Sequence, residues 1–184
     1  MNLLLLPCLS LAFNSFGLEN SFGLDRYALL PLSGRETLLS KNLSFALVVL
    51  LLFALTLPVA IWRVGAASTA SGLLILILIT LAYLSYGNWL TVYQPFKIPF
   101  YRFASGGSPF DALLGIVVGS LPGIIAVYFL RDENLFGVLK VGIMLALLLF
   151  IYLFSLKWSA RALERRWDSI RVALGKTIQS EINL

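Results

Sequence analysis

The chain has 184 residues, of which 59% are hydrophobic and 12% charged, and its mean hydropathy is +0.90. A soluble domain carries about 25% charged residues, so half that share, in long apolar runs, makes lipid the solvent for most of this chain. With no histidine and a single cysteine, Cys8, the composition excludes an internal disulfide, a cysteine-built metal site and the usual His-dependent base or triad chemistry.

The net charge of +5 does not point to a nucleic-acid partner. The basic residues sit between and after apolar runs, where membrane topology puts them. Residues 1–13 lack a basic n-region, and no small-residue cleavage site follows, so they do not read as a cleavable signal. The apolar run 3–13 covers about half of a hydrocarbon core at 1.5 Å per residue. It reads either as the end of a helix whose beginning is missing or as a segment lying at the interface.

The loop 14–42 follows. It contains a direct repeat, Asn14-Ser15-Phe16-Gly17-Leu18-Glu19 and then Asn20-Ser21-Phe22-Gly23-Leu24-Asp25. Exposed aromatic side chains in a loop fit a partner surface, and they equally fit interfacial anchors. Within it, Ser33-Gly34-Arg35-Glu36 has the form of a capping box, with Ser33 as N-cap and Glu36 at the third helical position. A helix starting there can run on into the first span.

Four stretches reach the roughly 20 apolar residues that a bilayer requires: 43–62, 72–92, 111–130 and 138–156. The second closes on Gly87-Asn88-Trp89-Leu90-Thr91-Val92-Tyr93-Gln94-Pro95. There Asn88 is an amide at or near membrane depth, placed either to hydrogen-bond a neighbouring helix or to face a pathway. Ser108-Pro109-Phe110-Asp111 reads as a second helix start, with Ser108 and Asp111 as capping residues and Pro109 at the first helical position. In the third span Gly115, Gly119 and Gly123 form a small-residue stripe that admits a close helix contact. Pro122 should kink or break that helix. Such Gly/Pro-interrupted spans mark transport sites and moving elements.

The tail 157–184 has Leu163, Trp167, Ile170, Leu174 and Ile178 on one face and charges on the other, which predicts an amphipathic helix continuing the last span. Its basic residues should favour anionic headgroups. If the four spans alternate, 11 of the 14 Lys and Arg fall on one side and only Arg63, Arg131 and Lys140 on the other. The basic side, including 14–42, the connection 93–109 and the C-terminus, is therefore expected to be cytoplasmic. The expected fold is an all-α polytopic membrane helix bundle forming one transmembrane domain over 1–184. It comprises four full spans, a partial N-terminal one and a cytoplasmic amphipathic C-terminal helix. No Walker A loop, GxSxG elbow or HExxH occurs in the sequence. No cofactor, metal site or catalytic residue is expected, and any ATP must be bound by another chain.

The stretches Asn20-Ser21-Phe22-Gly23-Leu24-Asp25-Arg26, Leu29-Leu30-Pro31-Leu32-Ser33-Gly34-Arg35 and Leu38-Leu39-Ser40-Lys41-Asn42-Leu43 resemble the cytoplasmic loop of bacterial ABC-2 type permeases, the membrane subunits of ABC exporters. The segment from Gly87 to Pro95 is similar to a G-N-x-x-S-x-x-x-P element of some of these permeases, with Thr91 in place of serine. The family fold has six helices with both termini inside, and this chain fits the end of the second helix and helices three to six. The resemblance therefore implies a C-terminal portion of a permease in the bacterial plasma (inner) membrane. It also implies a separate ABC ATPase, a second permease copy or half, and alternating access driven through the loop 14–42. Phe16, Phe22, Asp25 and Arg26 are the residues it offers for ATPase coupling. A non-transporting membrane scaffold or assembly factor would share this topology without the ATPase.

Overall fold

The computed structural model of the chain describes residues 32–95, 109–131 and 135–182. The first helix, α1, spans Gly34–Val64, 31 residues. It starts where the capping box lies: Ser33 Oγ accepts the Glu36 amide at 3.3 Å, and the Glu36 carboxylate accepts the Ser33 amide at 2.8 Å. These bonds satisfy two backbone donors that a helix start otherwise leaves open. Residues 34–42 are thus the first turns of α1, and the helix runs on from the capping box into the first span.

Helix α2 spans Ala66–Tyr93. Between α1 and α2 lies one residue, Gly65, at φ 83° and ψ 164°. The spans read as 43–62 and 72–92 leave a longer connection, but both helices extend into it and Gly65 makes the whole reversal. Its amide donates to Ile61 O at 2.9 Å, closing α1, and its carbonyl accepts from Thr69 Oγ1 at 2.7 Å, opening α2. That φ/ψ combination is essentially restricted to glycine.

Helix α3 spans Pro109–Leu130 and α4 spans Leu135–Ile182. Pro122 does not break α3, although it removes a donor to the Val118 carbonyl. At 48 residues, α4 is about 72 Å long, more than twice a hydrocarbon core. The last span and the tail up to Ile182 are one continuous helix.

The four helices run up and down in turn. Neighbours in sequence are antiparallel: Asn42 meets Asn88, Tyr83 meets Gly119, and Ala126 packs with Val141. The helices α2 and α4 run parallel, with Leu78 beside Val141, Ser85 beside Ser155 and Tyr93 beside Trp158. They form the centre of the bundle, with α1 and α3 on its flanks. Accordingly α2 holds the largest buried set, including Leu76, Leu78, Ile79, Tyr83, Leu90 and Val92. By contrast α1 presents Leu43, Leu47, Leu51, Leu55 and Val59 outward. An apolar surface of that extent on a monomer is the surface of a membrane protein.

Helix α3 approaches α2 through its small residues. A Cβ built on Gly119 would clash with the Tyr83 ring, and one on Gly123 would come within 2.6 Å of Ile79 Cδ1. Gly115 on the same stripe is buried. Lipid tails are as apolar as leucine, so helix association in a bilayer depends on such close packing and on polar bridges.

Candidate functional site

The charged end of the bundle gathers the start of α1, the end of α2 and the second half of α4. Arg35, Lys41, Lys157, Arg161, Arg165 and Arg166 lie there, whereas Arg63, Arg131 and Lys140 mark the opposite end. Lys140 extends over the Phe129 ring at 5.1 Å and Arg63 over Trp62 at 5.0 Å, both arrangements that keep the cation at an aromatic interface.

Just inside the charged end, three helices share a polar node. Asn42 Nδ2 of α1 donates to Asn88 Oδ1 of α2 at 2.8 Å and to Tyr152 Oη of α4 at 3.2 Å. Asn88 is 1% exposed, and its Nδ2 has no partner among the described residues. One helical turn away, Ser155 Oγ donates to the Ser85 carbonyl at 2.6 Å, a second bridge between α2 and α4. Asn88 therefore holds a neighbouring helix. Asn42, Tyr152 and Ser155 are the residues that sequence reasoning missed. Asn42 stood in the sequence within a K-N-L stretch, but its partner lies 46 residues away and no spacing rule connects them.

Further out than this node, Glu164 of α4 closes the start of α1. Its Oε1 accepts the Gly34 amide at 2.9 Å, and a Cβ on Gly34 would come within 2.6 Å of the Ala160 carbonyl. The acid sits where a helix N-terminus carries partial positive charge and unmet N–H groups. Around this contact Leu38, Val92, Leu156, Ala160, Leu163 and Ile170 form one buried apolar cluster. The apolar face of the α4 extension is thus internal over Leu163 and Ile170, with Trp167 half-buried beside them.

Ser33 and Glu36 form the α1 cap, and Gly115, Gly119 and Gly123 lie on the buried side of α3. Phe16, Phe22, Asp25, Arg26 and Ser108, the run 3–13 and the side chain of Asp111 lie outside the described residues, as do the side chains of Leu174 and Ile178. Among the described residues no group of three or more Cys, Asp or Glu side chains is placed to hold a metal ion.

Among the described residues, four helices long and apolar enough to cross a membrane, packed as one bundle, define a multi-pass α-helical membrane protein. No protein-family model, curated protein or solved structure matches this chain.

Proposed function

We propose that the chain is the membrane-spanning permease subunit, or part of one, of an ATP-driven exporter of the ABC-2 type. The ATPase is a separate chain, and the basic end of the bundle, with the C-terminus, faces the cytoplasm of a bacterium. The resemblance of residues 20–43 and 87–95 to such permeases supports this reading. The observation that carries it is the joint between Gly34 and Glu164. The segment that resembles a coupling loop leads straight into this joint. A push on that segment therefore reaches α1 and the α4 extension together rather than a free helix end. Since α4 packs along α2, such a push tilts the centre of the bundle. A second copy or half on the exposed face of α1 would complete a path for substrate.

The test is affinity purification of the full chain from its native membrane in mild detergent, followed by identification of any co-purifying P-loop ATPase. Recovery of an ATPase is expected. Phe22→Ala with Arg26→Ala should weaken its association about tenfold or more, because aromatic and Arg residues are the usual interface anchors. An intact chain that brings down no ATPase would favour the scaffold reading. An ATPase held equally well by the double variant would move the coupling site away from this loop.

A further inference from the structure

A groove of about 580 Å³ opens between α2, α3 and α4, within the roughly 300–1,000 Å³ of ligand sites. Tyr86, Trp89, Val118, Pro122, Ile151 and Phe154 line it. Beside it, on the same side of α4, lies a second basin of about 280 Å³, lined by Tyr93, Trp158, Ala162 and the three arginines Arg161, Arg165 and Arg166. Trp158 belongs to both walls. We infer that groove and basin form one site for a phosphate-bearing membrane lipid, chain in the groove and headgroup in the basin. The inference rests on the bundle and its membrane setting, not on the transport reading.

The two halves differ in chemistry as an amphiphile's halves do. The groove walls are almost wholly apolar, and a continuous aromatic strip leads from them to the basin. On α2, Trp89 stacks on Tyr93 with ring centroids 5.4 Å apart, and Tyr86 lies 6.4 Å from Trp89. On α4, Phe154 stacks on Trp158 at 6.1 Å. Trp158 Nε1 donates to Tyr93 Oη at 3.1 Å, tying the strips together where groove meets basin. That bond uses the phenol as acceptor and leaves its O–H to donate to an anion.

The basin is placed and charged for a phosphate. Arg166 sits over the Tyr93 ring at 5.1 Å, which orients its guanidinium without neutralising it. Among the described residues no carboxylate pairs with Arg161, Arg165 or Arg166. Guanidinium groups match phosphate oxygens in a planar, two-pronged geometry. Depth agrees as well. Arg161 to Arg166 lie about 5–12 Å beyond Trp158 along α4, the headgroup zone of a bilayer whose aromatic belt is at Trp158. A soluble phosphate would use the basin but have no need of the groove. A neutral or zwitterionic lipid would use the groove without engaging the three guanidinium groups.

The test adds phosphatidylglycerol, phosphatidylcholine of the same chains, or inorganic phosphate to the full chain in detergent, and counts bound lipid by native mass spectrometry. Phosphatidylglycerol should be retained about tenfold or more over phosphatidylcholine. Replacing Arg161, Arg165 and Arg166 by Gln should bring the two lipids to equal retention. Arg63→Gln with Arg131→Gln, at the other end, should leave the preference intact. Ile151→Trp, which fills the groove, should reduce retention of both lipids. If that variant loses helix content or elutes aggregated, Val118→Trp on the opposite wall takes its place. Equal retention of both lipids by the parent chain would overturn the site, as would a preference that survives the triple Gln variant. Displacement of phosphatidylglycerol by millimolar inorganic phosphate, with no effect of either Trp variant, would make it a free-anion site and overturn the lipid assignment.

Discussion

Asn42 and Asn88, 46 residues apart in the chain, share a hydrogen bond of 2.8 Å at the level where the bundle meets its charged end. Tyr152 lies 3.2 Å from the same Asn42 nitrogen, so one amide joins α1, α2 and α4. Asn42→Leu and Asn88→Leu should each destabilise the folded bundle, and the two changes should be non-additive. The coupling should lie near the average of about 0.6 kcal/mol, and below the maximum of about 1.7 kcal/mol, found for side-chain hydrogen bonds in membranes. Equilibrium unfolding of the four members of the double-mutant cycle measures it, and strict additivity would disprove a shared bond. Tyr152→Phe should cost less than either, because Asn42 keeps its bond to Asn88.

The contact of Gly119 with Tyr83 makes a sharper claim than a small-residue stripe does. The added methyl of Gly119→Ala would overlap the Tyr83 ring, so the variant should lose about 1–3 kcal/mol of stability through overpacking. Gly142 in α4 has nothing within 4 Å of its Cβ position, so Gly142→Ala should be neutral or gain a little from helix propensity. Combining Tyr83→Leu with Gly119→Ala should recover part of the loss. A Gly119→Ala variant as stable as the parent would mean that α3 does not pack on α2 through this face.

Gly65 should tolerate no substitution well. Alanine at φ 83° and ψ 164° is strained by about 1–3 kcal/mol. Asparagine should give no rescue, because its tolerance of positive φ is confined to the left-handed helical region near ψ +45°. Thermal unfolding of Gly65→Ala and Gly65→Asn decides this, and a clear advantage for Asn would contradict the observed backbone.

The joint of Gly34 with Glu164 can be probed without any partner. Glu164→Gln keeps an acceptor for the Gly34 amide, whereas Glu164→Ala removes it, so loosening of α1 should follow the order Ala above Gln. A cysteine placed at Leu38, which is 0% exposed, should react slowly with a soluble maleimide in a Cys8→Ser background. Its labelling should quicken most with Gly34→Ala, which presses on the Ala160 carbonyl. Labelling at Leu38 that is already fast without these changes would show the joint to be open.

Topology has its own measurement. In intact bacteria carrying the Cys8→Ser chain, a cysteine at Asn134 should react with an impermeant reagent added outside, and one at Ser108 should not. The reverse pattern would invert the whole assignment, since 11 of the 14 basic residues travel with Ser108.

The sequence alone determined the four apolar helices of the described residues, their rough limits, the Ser33–Glu36 helix start and the segregation of charge to one end. These are local properties. A hydrocarbon layer demands about 20 apolar residues in a row, and a cap is completed within four residues. It also placed Gly115, Gly119 and Gly123 on one face, because helical spacing is itself local. Only the tertiary structure decided what those faces meet. That Gly119 receives Tyr83, that Asn42 reaches Asn88 and Tyr152, and that Glu164 caps a helix 130 residues earlier in the chain follow from helix pairing. An evenly apolar helix in lipid offers no amphipathic stripe from which a partner could be read. The one-residue turn at Gly65 and the joining of groove to arginine basin across Trp158 stayed hidden for the same reason: each depends on how two helices meet, and the chain writes that only in its packing.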